Sequence, residues 1–383
     1  MTFLAHRSRN WIFAATVSVS LLATPAIAIE TKAREAYLVD FNTGAILLDH
    51  NSEQLMPPAS MTKIMAVYLA FDRLKDGRLK LEDEIPISEK AWRKGGSKMF
   101  VRVNTRVKID AILRGIIVQS GNDAAIALAE ALGGSEAAFA EEMTSKAHEL
   151  GMRDSTFRNA TGWPDPEHRT TARDLATLAM ATIRKFPEYY TIYGEKTYTY
   201  NKIRQGNRNP LLYKAMGADG LKTGHTQEAG YGLTASAKRG NRRLVLVVNG
   251  LGSVRARSRE SEALLEWGFR EFDNYTLFKA GEEVDRAHVW LGTSKDVPLV
   301  AKTDQIFTLK KFARKKLKVS VVYDGPVPAP IKAGDQIATL RLTAPKQEPI
   351  EVPLYAGANV DRLGVVGRVV AAVNYLIWGG GDG

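Results

Sequence analysis

The hydrophobic pattern opens with an apolar run from Trp11 to Leu22, preceded by His6, Arg7 and Arg9 without an acid and followed by Ala26-Ile27-Ala28. That order predicts a secretory signal ending in a small-x-small cleavage site, so the mature chain is expected to begin near Ile29; the run is shorter than the ~20 residues a bilayer span needs. Beyond it, alternation over 36–40 and 45–49 about Asn42-Thr43-Gly44 predicts a hairpin. Pro57-Pro58 stops any upstream helix, and 60–73 follows as a helix ended near Gly77. Residues 109–132 are strongly apolar with helical spacing, interrupted at Ser120-Gly121-Asn122, and further helices are expected over 136–150, beside Ser135, and over 172–185. Strand character returns at 198–200, 220–226, 232–238 and 243–249, read as consecutive antiparallel strands, with a helix over 257–269. The first and last parts of this region should share one sheet with the helical middle inserted between them.

The pattern changes near Phe272-Asp273-Asn274-Tyr275. Short alternating runs such as 317–321 and 337–342, punctuated by Gly and Pro, then predict a small all-β domain. The stretch from Leu363 to Trp378 has helical period, with Val366, Val369, Val370, Val373 and Ile377 on one side and Gly364, Arg368, Ala371 and Tyr375 on the other. The expected organisation is a signal peptide (1–28), an α/β (α+β) domain with an antiparallel sheet and a helical subdomain (29–273), a β-sandwich-like domain (274–358) and an amphipathic helix with its tail (359–383).

Composition narrows the chemistry. The 383 residues are 45% hydrophobic and 25% charged, ordinary for a globular chain. Loss of the first 28 residues leaves 51 basic against 42 acidic residues, a formal +9 that suits anionic surroundings such as phospholipid headgroups or cell-wall polymer. No nucleic-acid motif is present, and nucleic acid is not expected outside the cytoplasm. Zero cysteines exclude a disulfide framework, a thiolate nucleophile and zinc-thiolate sites. The six histidines lack His-Glu-x-x-His spacing and no Gly-x-Ser-x-Gly elbow occurs, so neither a metal nor a cofactor is expected. Between Lys302 and Lys318 seven basic residues accompany one acid, Asp304, as a lipid-facing patch or simply the solvated face of a strand pair.

Three short motifs carry candidate chemistry. Ser60-Met61-Thr62-Lys63 alone has little weight, since roughly one Ser-x-x-Lys is expected by chance at this length. It is followed, however, by Ser120-Gly121-Asn122 in a turn between apolar helices and by Lys222-Thr223-Gly224 in a strand. Three residues apart on a helix, Ser60 and Lys63 share a face, with Cβ atoms about 5–6 Å apart. A serine hydroxyl becomes a nucleophile when a base takes its proton, and a lysine serves as that base only if burial and nearby cations lower its pKa. Lys222 is one candidate for the nearby cation. Ser60 in the first helical turn also has free backbone N–H groups beside it, favourable to developing negative charge. Ser120 can relay a proton, and Asn122 can orient Lys63 and donate to a substrate carbonyl. The Lys222 strand can pair with an extended peptide, Gly224 allowing close approach, while the cation and hydroxyl suit a terminal carboxylate.

Together these motifs resemble the penicillin-recognising serine acyl-enzymes. More narrowly, the chain resembles the D-alanyl-D-alanine carboxypeptidases among the low-molecular-mass penicillin-binding proteins. The resemblance covers nearly the whole mature chain, through 56–63, Gly96-Ser97-Lys98-Met99-Phe100, Asn207-Arg208-Asn209, 219–226 and Leu265-Glu266-Trp267-Gly268-Phe269. It implies a β-lactamase/transpeptidase-like catalytic fold, Ser60 as acylated nucleophile and Lys63 as its base, with Ser120 and Asn122 assisting. It also implies that Lys222 and Thr223 hold the substrate carboxylate, that the N–H groups of Ser60 and His225 form an oxyanion hole, and that Arg208 adds positive charge near the carboxylate. The implied partners are stem peptides ending in D-Ala-D-Ala and, as covalent inhibitors, β-lactams. The loop from Gly95 to Phe100 resembles the one that borders the family's active site.

A class A β-lactamase is the nearest enzymatic rival, but no Glu-x-x-x-Asn occurs and Gly121 stands where those enzymes carry aspartate. DD-endopeptidase or transpeptidase action shares the acyl-enzyme step and remains open at this point, whereas a non-catalytic wall-binding protein would not need three intact motifs. The helix from Leu363 to Trp378, too short for a span at 1.5 Å per residue, suits lying on an anionic membrane surface. The expected location is therefore the periplasmic, outer face of the cytoplasmic membrane.

Overall fold

A computed structural model describes residues 29–343, 345 and 349–378; the expected signal peptide and the extreme C-terminal tail lie outside the described residues. In chain order, β1 (Glu35–Asp40) and β2 (Ile46–His50) form the expected hairpin, and α1 (Lys63–Lys75) follows. A ribbon of β3 (Glu84–Pro86) and β4 (Arg106–Lys108) brackets α2 (Glu89–Arg93); then come α3 (Ile109–Ile117), α4 (Asn122–Gly133), α5 (Glu136–Glu149), α6 (Ala172–Lys185) and α7 (Pro187–Tyr190). After the ribbon β5 (Thr197–Tyr200) and β6 (Ile203–Gly206), three long strands, β7 (Ala218–Thr226), β8 (Gly230–Arg239) and β9 (Arg242–Leu251), lead into α8 (Val254–Glu271).

The five-stranded antiparallel sheet has the order β2-β1-β9-β8-β7, so the N-terminal hairpin does join the late strands, and β7 is left at an edge. The sequence Lys-Ile-Met-Ala-Val-Tyr-Leu-Ala-Phe at the start of α1 has no polar face, and accordingly every residue from Lys63 to Phe71 is buried. Helices α3, α4 and α6 surround it, α3 burying an isoleucine-rich stripe and α4 and α6 alanine-rich ones in the same core. Side-chain oxygens of Ser135, Thr171 and Ser253 accept backbone N–H groups at the starts of α5, α6 and α8. The cap at Ser253 starts α8 three residues before the expected boundary.

Two expectations are corrected. Ser60 does not open the α-helix; it lies in a single 3-10 turn (Ala59–Thr62) that precedes α1. Ala59 takes a left-handed φ of 48° after Pro58, whose carbonyl accepts the Met61 N–H at 3.1 Å. Residues 198–200 do not join the main sheet. β5 pairs with β6 alone, because Asn201 and Lys202 both adopt positive φ (47° and 64°) and close a tight two-residue hairpin.

The C-terminal β region comprises β10 (Phe272–Phe278), β11 (Glu283–Trp290), β12 (Asp296–Val300), β13 (Gln305–Lys310), β14 (Lys318–Val322), β15 (Val327–Pro328), β16 (Gln336–Thr343) and β17 (Ile350–Ala356). Six strands form a sheet of order β14-β16-β17-β12-β11-β15, and β10 pairs with β13, around a separate core that includes Leu299, Phe307, Leu309, Leu340 and Leu354. Arg242 ties this region to the first: its Nε donates to the fully buried Asp40 carboxylate at 2.8 Å and its Nη1 to the carbonyls of Gly268 and Phe272. Finally, α9 (Val365–Trp378) closes the chain.

Candidate active site

The 3-10 turn sets the central geometry. With about three residues per turn, positions i and i+3 eclipse, so Ser60 and Lys63 project together as the α-helical spacing also required. Lys63 is fully buried, and its Nζ donates to Ser60 Oγ at 2.9 Å, to Asn122 Oδ1 at 2.8 Å and to the Thr161 carbonyl at 2.7 Å. Burial, followed by the Arg208 guanidinium, lowers the Lys63 pKa to about 7. An amine with three acceptors around it accommodates both charge states. Protonated, it donates three times; neutral, it keeps two donors for Asn122 and Thr161 and turns its lone pair to the Ser60 hydroxyl.

Edge strand β7 lies against the 3-10 turn. A Cβ on Gly224 would meet the Pro58 carbonyl at 2.7 Å and Ala59 Cβ at 3.2 Å, so only glycine lets strand and turn approach this closely. Lys222 and Thr223 are buried on the same strand, Lys222 with a pKa held well below its ordinary value by burial and then by the cations Lys63, Arg208 and Arg257. The cation that acts most on Lys63 is Arg208 rather than Lys222, the candidate offered by the sequence. His225 stacks on Tyr231 with ring centroids 3.9 Å apart. A cleft of about 270 Å³ brings together Ser60, Ser120, Thr223, His225, Arg208 and Arg257.

The segment Asn207-Arg208-Asn209 is braced on both sides of the arginine. Asn207 Nδ2 donates to the Glu195 carbonyl at 3.0 Å and Asn209 Nδ2 to that of Gly220 at 2.8 Å, while Arg208 reaches Ser97 Oγ across the cleft. The loop carrying Ser97 is pinned from three directions. Asn122 donates from its backbone to the Ser97 carbonyl (2.7 Å) and from its side chain to that of Gly95 (2.8 Å). Gln205 and Asn201, from the β5–β6 hairpin, donate to the carbonyls of Lys98 and Phe100 at 3.0 and 2.9 Å. The buried carboxylate of Asp123 accepts the N–H groups of Met99, Phe100 and Val101.

Six of the nine residues singled out by sequence line the cleft, namely Ser60, Ser120, Arg208, Thr223, Gly224 and His225; Lys63 joins Ser60 to Asn122 behind it, and Lys222 is buried next to Thr223. Sequence reasoning missed Asp123, Arg257, Asn159 and His168. Asp123 had a signal, an acid heading the otherwise apolar Ala-Ala-Ile-Ala-Leu-Ala stretch of α4. The others had none. Asn159 Oδ1 accepts the N–H groups of Thr161, Gly162 and Trp163, folding the loop that offers its Thr161 carbonyl to Lys63. His168 is buried and its pKa falls to about 4, chiefly by burial; its Nδ1 accepts the Arg158 N–H at 3.2 Å, so the neutral ring donates from Nε2 to Thr62 Oγ1 at 2.9 Å.

A serine hydroxyl beside a buried lysine, facing an edge strand that carries a second buried lysine, has the make-up of a serine–lysine acyl-transfer site. Residues 22–252 match the family model described as D-alanyl-D-alanine carboxypeptidase, and residues 272–362 match that of the penicillin-binding protein 5 C-terminal domain. The chain is 39% identical to D-alanyl-D-alanine carboxypeptidase DacC of Escherichia coli over 345 residues, covering 88% of this chain and 86% of that protein. It superimposes on penicillin binding protein 5 from Haemophilus influenzae with a TM-score of 0.79 at 37% identity, covering 88% of this chain and 99% of that one. Penicillin-binding protein D2 from Listeria monocytogenes, in its ampicillin-bound form, matches with a TM-score of 0.58 at 29% identity, covering 63% of this chain and 99% of that one. The chain belongs to the D-alanyl-D-alanine carboxypeptidase family.

Proposed function

We propose that this chain is a serine-type D-alanyl-D-alanine carboxypeptidase that removes the terminal D-alanine of peptidoglycan stem peptides through an acyl-Ser60 intermediate, and that β-lactams acylate the same serine. The observation that carries the reading is the Ser60–Lys63 contact of 2.9 Å with the amine poised near neutrality. Neutral Lys63 takes the proton of Ser60 Oγ as the oxygen attacks the carbonyl of the penultimate D-alanine. The resulting oxyanion lies toward the N–H groups of Ser60 and His225, a contact worth about 3–4 kcal/mol per donor in other enzymes. Collapse of this intermediate breaks the amide bond, and the proton passes to the departing D-alanine nitrogen, with Ser120 as relay. Water then attacks the acyl-serine with Lys63 again as base, giving the shortened peptide and restoring Ser60. Arg208, Thr223 and Lys222 hold the terminal carboxylate, which a β-lactam also carries. In the test, labelled penicillin should add one adduct on the peptide containing Ser60, and a synthetic stem peptide should release free D-alanine. Labelling that persists in Ser60→Ala, or cleavage of cross-linked dimers without alanine release, would overturn it.

The exported, peripheral location belongs to the same proposal. Among the described residues no helix is long and apolar enough to cross a membrane. On α9, Val365, Val366, Val369, Val370 and Val373 are 45–78% exposed and form an apolar stripe. That supports attachment of the helix to an anionic membrane surface rather than packing on its own β region.

A further inference from the structure

Arg208 and Thr223, the groups proposed to hold the terminal carboxylate, line the cleft together with Ser60. A stem peptide anchored on them, with its scissile carbonyl at Ser60, places its acyl arm beyond the serine, whose partner Lys63 donates to Asn122 Oδ1 at 2.8 Å. Just beyond Asn122 is Gly96, wedged so that an added Cβ would lie 2.8 Å from Asn122 Nδ2 and 3.3 Å from the Trp163 ring. Trp163 is 45% exposed and is held by the Asn159-capped loop, whose Thr161 carbonyl contacts Lys63. The Lys94 ammonium sits 4.0 Å from the Trp163 ring centroid. Such a contact fixes a cation in place, unlike a freely rotating surface lysine. Its basic neighbours are already engaged, since Lys90 pairs with Glu136 at 2.8 Å and Lys98 donates to the Trp92 carbonyl. Among the described residues no carboxylate pairs with Lys94.

We infer that Lys94 and Trp163 form the subsite for the third residue of the stem peptide, and that they select a side chain ending in a carboxylate, as diaminopimelate does, over the ammonium of lysine. The exposed indole takes the methylene stem and Lys94 takes its end. The inference rests on the carboxypeptidase reading and adds a substrate class to it.

Two synthetic pentapeptides differing only at the third residue test it on the full chain: one with L-lysine, the other with L-2-aminopimelate, which replaces the lysine ammonium by a carboxylate on an equal run of methylenes. The readout is the ratio of kcat/KM for D-alanine release from the two peptides by one preparation, so any general loss of activity divides out. The wild-type ratio should favour the carboxylate by about tenfold, the scale of exchanging one exposed attraction for a repulsion. Lys94→Glu should invert the preference, and Trp163→Ala should reduce it by freeing Lys94. Release from both peptides at equal rates, or a ratio that Lys94→Glu leaves in place, overturns the inference while the carboxypeptidase reading stands. No release from either peptide overturns both.

Discussion

The carboxylate of Asp123 accepts the backbone N–H of Met99 at 2.8 Å, joining the turn that carries Ser120 and Asn122 to the loop that carries Ser97. The same carboxylate holds Phe100 and Val101, so one buried acid organises the wall of the cleft facing β7. Hydrogen bonds to an ionised acceptor contribute about 1.5–3 kcal/mol each, and orphaned buried N–H groups add their own cost. Asp123→Ala should therefore lower stability by about 3 kcal/mol and slow penicillin acylation. Asp123→Asn should not rescue it, because its amide would point a donor at donors. Thermal melts and stopped-flow acylation check both, and an Asp123→Asn protein that acylates like wild type would refute the assignment.

The amine of Lys63 makes a pH prediction with a definite sign. Only its neutral form accepts the Ser60 proton, so the acylation rate at low penicillin concentration should rise through pH about 7 and then level off. Lys63→Arg, always protonated, should not acylate at any pH in this range. The folded-state pKa lies below the unfolded value, so the unfolded chain binds more protons between pH about 7 and about 10.5, and this site's contribution to stability grows as pH rises through that window. The melting-temperature difference between wild type and Lys63→Met should shift in favour of wild type from pH 7 to 10. A pH-independent acylation rate would refute the role of Lys63.

Arg242 concerns stability rather than chemistry. It bridges the fully buried Asp40 and the carbonyls of Gly268 and Phe272, at the point where α8 passes into β10. Removing one partner of a buried pair strands the other, typically at about 3–5 kcal/mol. Arg242→Ala should lose that much in urea titration while the KM for a D-Ala-D-Ala peptide changes little. A stability loss below about 1 kcal/mol would mean that water relieves Asp40.

What sequence could reveal followed from the range of the interactions involved. The α1 helix, the hairpin of β1 and β2 and the long strands β7 to β9 are written in local periodicity. The catalytic motifs were legible because Ser60, Lys63, Asn122 and Thr223 each sit in short segments with their own pattern. The 3-10 turn was not, because it depends on the left-handed Ala59 and on Gly162, where a Cβ would sit 1.7 Å from the Ala59 carbonyl, over a hundred residues along the chain. The roles of Asn159 and His168 were likewise hidden, since each acts through partners that only the folded loop assembles. The basic run between Lys302 and Lys318 divides as well: Lys310 and Arg314 lie over the aromatic rings of Phe272 and Tyr275, and Lys302 over Tyr355, so it is not one uniform patch.

The last prediction concerns α9. Five exposed valines buried in a membrane interface at about 1.5 kcal/mol each would contribute up to about 7.5 kcal/mol, less the cost of ordering the helix, enough for attachment without a span. The place to cut is after Leu363. Val360 is buried and pairs with Ile331, the Asp361 carbonyl accepts the Thr293 N–H, and the Leu363 N–H donates to the Leu291 carbonyl, so a cut at Ala356 would damage the β region itself. A chain ending at Leu363 should stop sedimenting with anionic liposomes yet release D-alanine from a soluble peptide at the full rate, because every group at the cleft lies before residue 258. Its melting temperature should match that of the longer chain, since the five valines are 45–78% exposed. If the shortened chain melts lower and liposome binding is unchanged, the helix packs on its own β region and the membrane assignment fails.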